Sequence, residues 1–239
     1  MCGRYTLTTP LEGLREIFLF EELPNLGPRY NIAPTQEVPV LRRDRADGKR
    51  HLALLRWGLI PAWAKEVAIG SRMINARAES VAEKPAFRAA FRQRRCLIPA
   101  DGFYEWKAAP KDAGPKAPKQ PYLITLAGGG PFAFAGLWEA WSDRASGEKV
   151  ESFTIITTEA NAALREIHHR MPVILAPQDQ AAWLDPEGES AALQALLRPA
   201  PDEAVVATPV STRVNNVRND DSDLLAPAEA ESPAQGRLL

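Results

Sequence analysis

Hydrophobic residues along the chain fall mostly into short runs bounded by Gly, Pro or polar residues. Val38–Arg42, Leu52–Trp57, Cys96–Pro99, Tyr122–Leu126, Phe132–Trp138, Phe153–Thr158, Val173–Leu175 and Ala204–Val210 are each rich in Val, Ile, Leu or aromatics. Such runs predict strands. Helical patterning is rarer and predicts helices over Leu11–Ile17, Ser80–Gln93, Glu159–Ile167, Pro177–Leu184 and Ser190–Leu197. Pro85 breaks or starts the second of these, and Pro177 suits a first helical turn. Regular strand–helix–strand alternation is missing. The prediction is therefore an α+β single domain, with a largely antiparallel β-sheet or irregular barrel as core and flanking helices.

Punctuation between the runs adds boundaries. Ala108–Lys119 (AAPKDAGPKAPK) is rich in Pro, Lys and Ala and reads as a mobile hairpin loop. The three glycines at 128–130 lack the Gly-Lys-Ser/Thr that completes a phosphate loop, so they read as a tight turn. From Ala226 onward, APAEAESPAQGRLL loses all periodicity. A domain over 2–225 and a disordered tail over 226–239 are expected.

Charge narrows the possible partners. Lys plus Arg number 29 and Asp plus Glu 30, a formal net charge of −1, so nothing draws the chain in bulk toward polyanions. Contact with nucleic acid then needs clustered positive charge. Arg42, Arg43, Arg45, Lys49 and Arg50 form one dense run, and Arg88, Arg92, Arg94 and Arg95 another. Both also read as solvated faces. Two cysteines, Cys2 and Cys96, make no disulfide framework. MCGRYTLTTP has neither the basic nor the apolar region of a signal peptide, and no run of apolar residues is long enough to span a membrane. A cytoplasmic location is expected, nucleoid-associated in a bacterium. The three histidines lie away from ligand-spaced Cys or carboxylates, so neither metal nor cofactor is expected.

Cys2 follows Met1 directly. Removal of Met1 would leave a residue with both a thiol and a free α-amine, whose ordinary pKa of about 7.7–8.0 keeps some of it neutral and nucleophilic. Such a residue can condense with an aldehyde to an imine and then close a thiazolidine ring; an interior cysteine cannot, because its nitrogen is an amide. A thiol that merely sits beside the start codon is the plainer alternative. In an extended segment Asn75 and Arg77 share a face, suited to orienting a polar group and clamping a phosphate, or to an ordinary surface strand. In Pro99-Ala100-Asp101-Gly102-Phe103-Tyr104-Glu105-Trp106, Glu105 lies among aromatics. It is either a desolvated proton shuttle or a strand-end carboxylate beside the core. Trp106, like Trp57 in Trp57-Gly58-Leu59-Ile60-Pro61, offers a stacking face or core packing. In His168-His169-Arg170-Met171-Pro172, His168 can donate a proton and Arg170 can hold a phosphate.

Together with Met1-Cys2-Gly3-Arg4-Tyr5, Tyr30-Asn31-Ile32-Ala33-Pro34-Thr35, Asn75-Ala76-Arg77-Ala78-Glu79 and Val214-Asn215, these segments resemble the SOS response-associated peptidase (SRAP) family of abasic-site shielding proteins. The segments run in family order over most of the chain. The resemblance implies an enzyme in which Cys2 forms a thiazolidine with the ring-opened abasic sugar of single-stranded DNA. It further implies that Asn75 positions the Cys2 amine or the sugar, Glu105 shuttles protons and His168 assists ring opening. Arg4, Arg77 and Arg170 would hold phosphates, and Trp57 and Trp106 would contact bases or sugars. A monomer is expected, with single-stranded DNA as partner. Self-processing, lyase-type activity and an alternative role as an N-terminal-nucleophile cysteine peptidase also follow from the family's name and chemistry.

Overall fold

The computed structural model describes residues 2–110, 114, 117–143 and 146–228. Most predicted strands form, and they pair into two sheets. Glu37–Arg43 (β3) pairs antiparallel with Arg50–Trp57 (β4), and the end of β4 runs parallel to Lys149–Glu159 (β10), with Arg56 opposite Ser152 and Trp57 opposite Phe153. β10 pairs antiparallel with Phe132–Ser142 (β9), which pairs with Arg95–Ala100 (β6). β6 returns to β3 through Leu41 and Leu97. The ladder therefore closes on itself as a barrel, which leaves no open edge among these strands.

A second, five-stranded antiparallel sheet lies beside it. Its order is Val205–Pro209 (β13), Gln120–Leu126 (β8), Gly102–Lys107 (β7), Tyr5–Leu7 (β1) and Arg29–Ile32 (β2). Rings from this sheet pack edge-on against rings of the barrel. Tyr5 lies 5.3 Å from Trp57 and 5.8 Å from Phe134, and Phe103 lies 5.9 Å from Phe134. Aromatic pairs of this kind contribute roughly 0.5–1.5 kcal/mol each beyond area burial. One hydrophobic cluster runs through both sheets. The chain is thus the single α+β domain with barrel-like antiparallel core that the pattern predicts.

Three short strands of the second sheet went unpredicted: β1, β2 and β7, along with Asn75–Arg77 (β5) where only conditional extension was expected. β5 lies parallel to β10, with Asn75 opposite Ile155. The predicted run Val173–Leu175 forms a strand over Ile174–Leu175 (β12) on β9, and Arg170–Pro172 (β11), which was not predicted, precedes it on β10.

Helices are shorter than the pattern predicts. Leu11–Phe18 (α1) forms as expected, burying Leu11, Leu14 and Phe18 at helical spacing. Within Ser80–Gln93 only Arg88–Gln93 (α2) is α-helical. Pro85 supplies the reason, since it removes a backbone donor and crowds the preceding turn. Within Glu159–Ile167 only Ala162–Arg165 (α3) is helical, because β10 continues through Glu159 and Asn161 caps the helix by accepting from the Leu164 N–H at 3.1 Å. Gln180–Leu184 (α4) and Ser190–Ala195 (α5) complete the set.

The expected glycine turn stands between β8 and β9, with Gly129 and Gly130 at φ 71° and 78°. Ala108–Lys119 connects β7 to β8, whose last pair is Lys107 with Gln120, so it is a hairpin connection. Residues 111–113, 115 and 116 lie outside the described residues. The tail boundary moves. Pro227 bridges to Val210 and the Ala228 N–H donates to Pro209 at 2.8 Å, so 226–228 are tied to the end of β13. Residues 229–239 lie outside the described residues.

Gly58 fixes the approach to β5. It has φ 121°, and a Cβ there would stand 2.6 Å from the Gly70 carbonyl oxygen. That close backbone contact holds 57–60 against the segment leading to Asn75. Gly58→Ala is expected to destabilise the fold by roughly 1–3 kcal/mol, read as a lower urea midpoint at unchanged m-value. A midpoint equal to that of the natural chain would refute the close-approach argument.

Candidate active site around Cys2

The N-terminal segment is built into the fold. β1 lies between β2 and β7, with Tyr5 opposite Phe103 and Ile32. The Tyr104 N–H donates to the Arg4 carbonyl at 3.0 Å and carries that pairing one residue toward Cys2. At the other end, the Asp101 carboxylate accepts from the N–H groups of Thr8 at 2.5 Å and Thr9 at 2.9 Å, and from the Thr9 hydroxyl. Cys2 is fully buried and belongs to the main core cluster. Asn75 Nδ2 donates to its carbonyl oxygen at 2.8 Å. Asn75 reaches this place because β5 is carried on β10, while the Ile74 carbonyl accepts both the Trp57 indole N–H at 2.9 Å and the Ile155 N–H at 3.2 Å.

Two buried polar atoms here are unsatisfied. The Tyr5 hydroxyl and Asn75 Oδ1 have no hydrogen-bond partner among the described residues. Orphaned buried groups are uncommon and cluster where a ligand or altered state completes them. Tyr5 was missed at the level of sequence, where it read as an ordinary aromatic.

Strand alternation decides how Glu105 is presented. Phe103, on the same face of β7, packs in the main core, whereas Tyr104 faces a separate cluster with Val210, Val214 and Leu224. Glu105 therefore sits at the edge of the core that holds Cys2. Burial pushes its carboxyl above the usual carboxylate range. Burial likewise pushes the Cys2 thiol far up, and the nearby Glu105 charge adds to that. The thiol is thus held in its protonated form. Cys96, also fully buried, is raised by burial and feels no Glu105 charge.

His168 follows α3 and precedes β11. The Arg170 N–H donates to His168 Nδ1 at 3.0 Å. The Arg170 carbonyl lies 3.1 Å from the same nitrogen, so Nδ1 has a backbone partner in either tautomer. Burial lowers the imidazole pKa and so favours the neutral ring. An open cavity of about 400 Å³ is lined by Arg4, Glu105, Trp106, Lys119, His168 and Asn215. Glu105 and His168 are therefore brought together at one cavity; Cys2 does not line it.

The residues expected to touch DNA fare differently. Arg4 lines the cavity, but its guanidinium donates to Asn31 Oδ1 at 2.9 Å and to the Val214 carbonyl at 2.8 Å. Trp106 lines it too, with its indole N–H on Asn215 Oδ1 at 2.7 Å. Arg77 is exposed on a neighbouring cavity shared with Glu159, Arg165, His169 and Arg170. Arg170 is committed elsewhere: it forms a bidentate pair with Glu79 at 2.6 and 3.0 Å and donates to the Thr157 carbonyl at 2.6 Å. That pairing corrects the expectation of a free phosphate clamp. Trp57 corrects another. At 0% exposure it packs against Tyr5 and Phe153 and offers no stacking face. The two arginine runs meet, yet Arg42 pairs with Glu151 and Arg94 with Glu139, each at 2.7 Å. Among the described residues, no three His, Cys, Asp or Glu side chains converge as a metal site.

Sequence reading also missed the strap that closes the site. Asn31 Nδ2 donates to the carbonyls of Val214, Asn216 and Asn219 at 3.2, 3.2 and 2.8 Å. Asp220 accepts from the N–H groups of Tyr30 at 2.5 Å and Asn31 at 2.9 Å. Residues near 214–220 thereby lie across β2 and beside the cavity. The motif pieces Tyr30-Asn31 and Val214-Asn215 were visible separately; nothing in the sequence paired them.

A family model described as SOS response associated peptidase (SRAP) matches residues 1–217. The chain belongs to that family. The abasic site processing protein YoaM of Bacillus subtilis is 44% identical over 229 residues, which is 94% of this chain and 97% of YoaM. The abasic site processing protein HMCES of Xenopus tropicalis is 31% identical, covering 95% of this chain and 78% of HMCES. A crystal structure of a protein from Bacteroides thetaiotaomicron superimposes with a TM-score of 0.85 at 26% identity, covering 95% of this chain and 100% of that one. The SRAP fold thus carries the cavity and the buried Cys2.

The electrostatics predict a labelling experiment. Removing the Glu105 charge in Glu105→Gln lowers the Cys2 pKa, so alkylation of Cys2 at a fixed alkaline pH becomes faster. Cys96 is the internal control and stays unchanged. Peptide mapping after timed alkylation reads both sites; equal change at the two cysteines would disprove the coupling.

Proposed function

We propose that this chain processes abasic sites in DNA by covalent capture. After removal of Met1, Cys2 bonds to the ring-opened aldehyde of an abasic site in single-stranded DNA as a thiazolidine and shields the lesion. The observation that carries this is the Cys2 environment: a protonated thiol held through its backbone by Asn75, beside a carboxyl whose pKa burial raises. The names of YoaM and HMCES, both abasic site processing proteins, support the choice of substrate.

The chemistry balances with these groups alone. In ring opening the C1–O4 bond of the sugar breaks; O4 takes a proton from His168, and the C1 hydroxyl proton returns to His168 through solvent, so the imidazole ends as it began. The Cys2 amine then adds to the aldehyde carbon. Glu105 as the acid protonates the resulting hydroxyl, which leaves as water and gives the imine. Sγ adds to the imine carbon while its proton passes by way of Glu105 to the nitrogen. One water is released overall, and Glu105 ends as it began. Asn75 fixes the Cys2 carbonyl, and its Oδ1 is the acceptor left to receive the amine. Removing such an acid–base group costs about 10²–10⁴-fold in rate.

The alternative is an N-terminal-nucleophile cysteine peptidase, which the family's description names. A thiol peptidase needs a thiolate, stabilised by neighbouring positive charge. Here burial and the Glu105 charge both act against the thiolate. We place the protein as a monomer on DNA in the cytoplasm, or on the nucleoid in a bacterium, with self-processing as one route to a free Cys2.

Incubation with a single-stranded oligonucleotide carrying one abasic site is expected to give a band that survives denaturing electrophoresis. Cys2→Ala abolishes it, and Glu105→Gln slows it by about 10²–10⁴-fold. An undiminished band from Cys2→Ala would refute capture by Cys2. Formation of an acyl-enzyme on an amide substrate, without any DNA adduct, would favour the peptidase.

A further inference from the structure

Lys119 and Asn215 have no part in the chemistry above, yet both line the cavity that Glu105 and His168 share. Their polar groups have a definite orientation or freedom. The Trp106 indole N–H is a donor only, so the atom 2.7 Å from it must be the Asn215 carbonyl oxygen. Asn215 Nδ2 is therefore turned away from Trp106. It makes no hydrogen bond among the described residues, and Asn215 is exposed. Lys119 Nζ likewise forms no ion pair among the described residues, and its charge reaches both Glu105 and His168. Arg4 holds the Val214 carbonyl at 2.8 Å and so keeps the strap bearing Asn215 in place.

The cavity is consequently lined with donors, Lys119 Nζ, Asn215 Nδ2 and the Arg4 guanidinium, with the His168 ring beside them. Glu105 is the one acidic side chain among the described residues lining it. A ligand that suits this wall is rich in acceptor oxygens and negatively charged, and it is solvated rather than buried. A phosphodiester meets those conditions.

We propose that Lys119 and Asn215 seat a phosphodiester of the DNA strand adjoining the abasic sugar, with Trp106 fixing Asn215 as the hydrogen-bond donor. The seat sets the strand's register, so that the sugar meets Glu105 and His168 rather than sliding past them. It rests on the reading of abasic DNA as substrate. Lys119 and Asn215 are positioning residues for the strand and take no proton.

The test uses the full chain, with three variants: Lys119→Gln, Asn215→Asp and Trp106→Phe. Asn215→Asp replaces the free donor by a carboxylate oxygen without changing shape. It is expected to slow adduct formation by about 10- to 100-fold, the usual range for losing a hydrogen bond to a charged group. Trp106→Phe frees the amide to turn and slows it less. Lys119→Gln lowers the salt dependence of binding to an undamaged single-stranded oligonucleotide by about 0.7 in the logarithmic slope, as expected for one lost phosphate contact. A neutral methylphosphonate at one linkage flanking the abasic site slows the natural chain, and Lys119→Gln is then indifferent to it at that linkage.

Unchanged rates in Asn215→Asp together with an unchanged salt slope in Lys119→Gln would overturn the seat. A lower slope without any covalent adduct in the natural chain would leave the seat standing and overturn the capture chemistry instead. Loss of rate with a parallel loss of thermal stability in Asn215→Asp, but a normal slope in stable Lys119→Gln, would also count against the seat.

Discussion

A cysteine one residue from the start of a chain is ordinarily frayed, because terminal residues have few partners to offset the entropy of ordering them. Here the segment after it is an inner strand, paired to Ile32 on one side and Phe103 on the other. Asp101 fixes the far end through Thr8 and Thr9, and Asn75 fixes the near end through the Cys2 carbonyl at 2.8 Å. Everything else about the site follows from that double anchoring. It brings a mobile terminus into a place where the charge state of its thiol is governed by a neighbouring carboxyl.

The anchors come from both layers of the fold. Asn75 belongs to the barrel side, on a strand carried by β10, whereas Glu105 belongs to the second sheet. The seam where the layers meet is aromatic, with Tyr5 against Trp57 and Phe134. Trp57 and Arg170 serve that seam and its flank instead of reaching toward a ligand. Their burial makes physical sense: an indole at 0% exposure and a guanidinium in a bidentate pair hold β5 and β11 in register. His168, two residues before Arg170, has its ring held at Nδ1 by the Arg170 backbone.

Much of this was legible in the residues. Long apolar runs such as Phe132–Trp138 announced barrel strands, because period and composition agree there. Cys2, Asn75, Glu105 and His168 stood out once their segments were seen in family order. The misses have physical causes. β1, β2 and β7 are short and mix polar with apolar residues, so local pattern gives no strand; cross-strand pairing makes them. Pro85 truncated a helix whose apolar spacing was otherwise sound. The role of Asn31 and Asp220 depends on contacts some 190 residues away in sequence, Asn31 with Asn219 and Tyr30 with Asp220. No local window contains such a contact, and the wall formed by Asn215 was invisible for that reason.

The most direct test of the central claim is the mass of the crosslinked N-terminal peptide, isolated after proteolysis of the DNA adduct. A 1,2-aminothiol that has closed a ring gives a peptide beginning at Cys2, carrying the sugar remnant less one water, with neither amine nor thiol open to alkylation. An adduct whose Cys2 thiol still alkylates, or one formed while Met1 remains attached, would contradict the account.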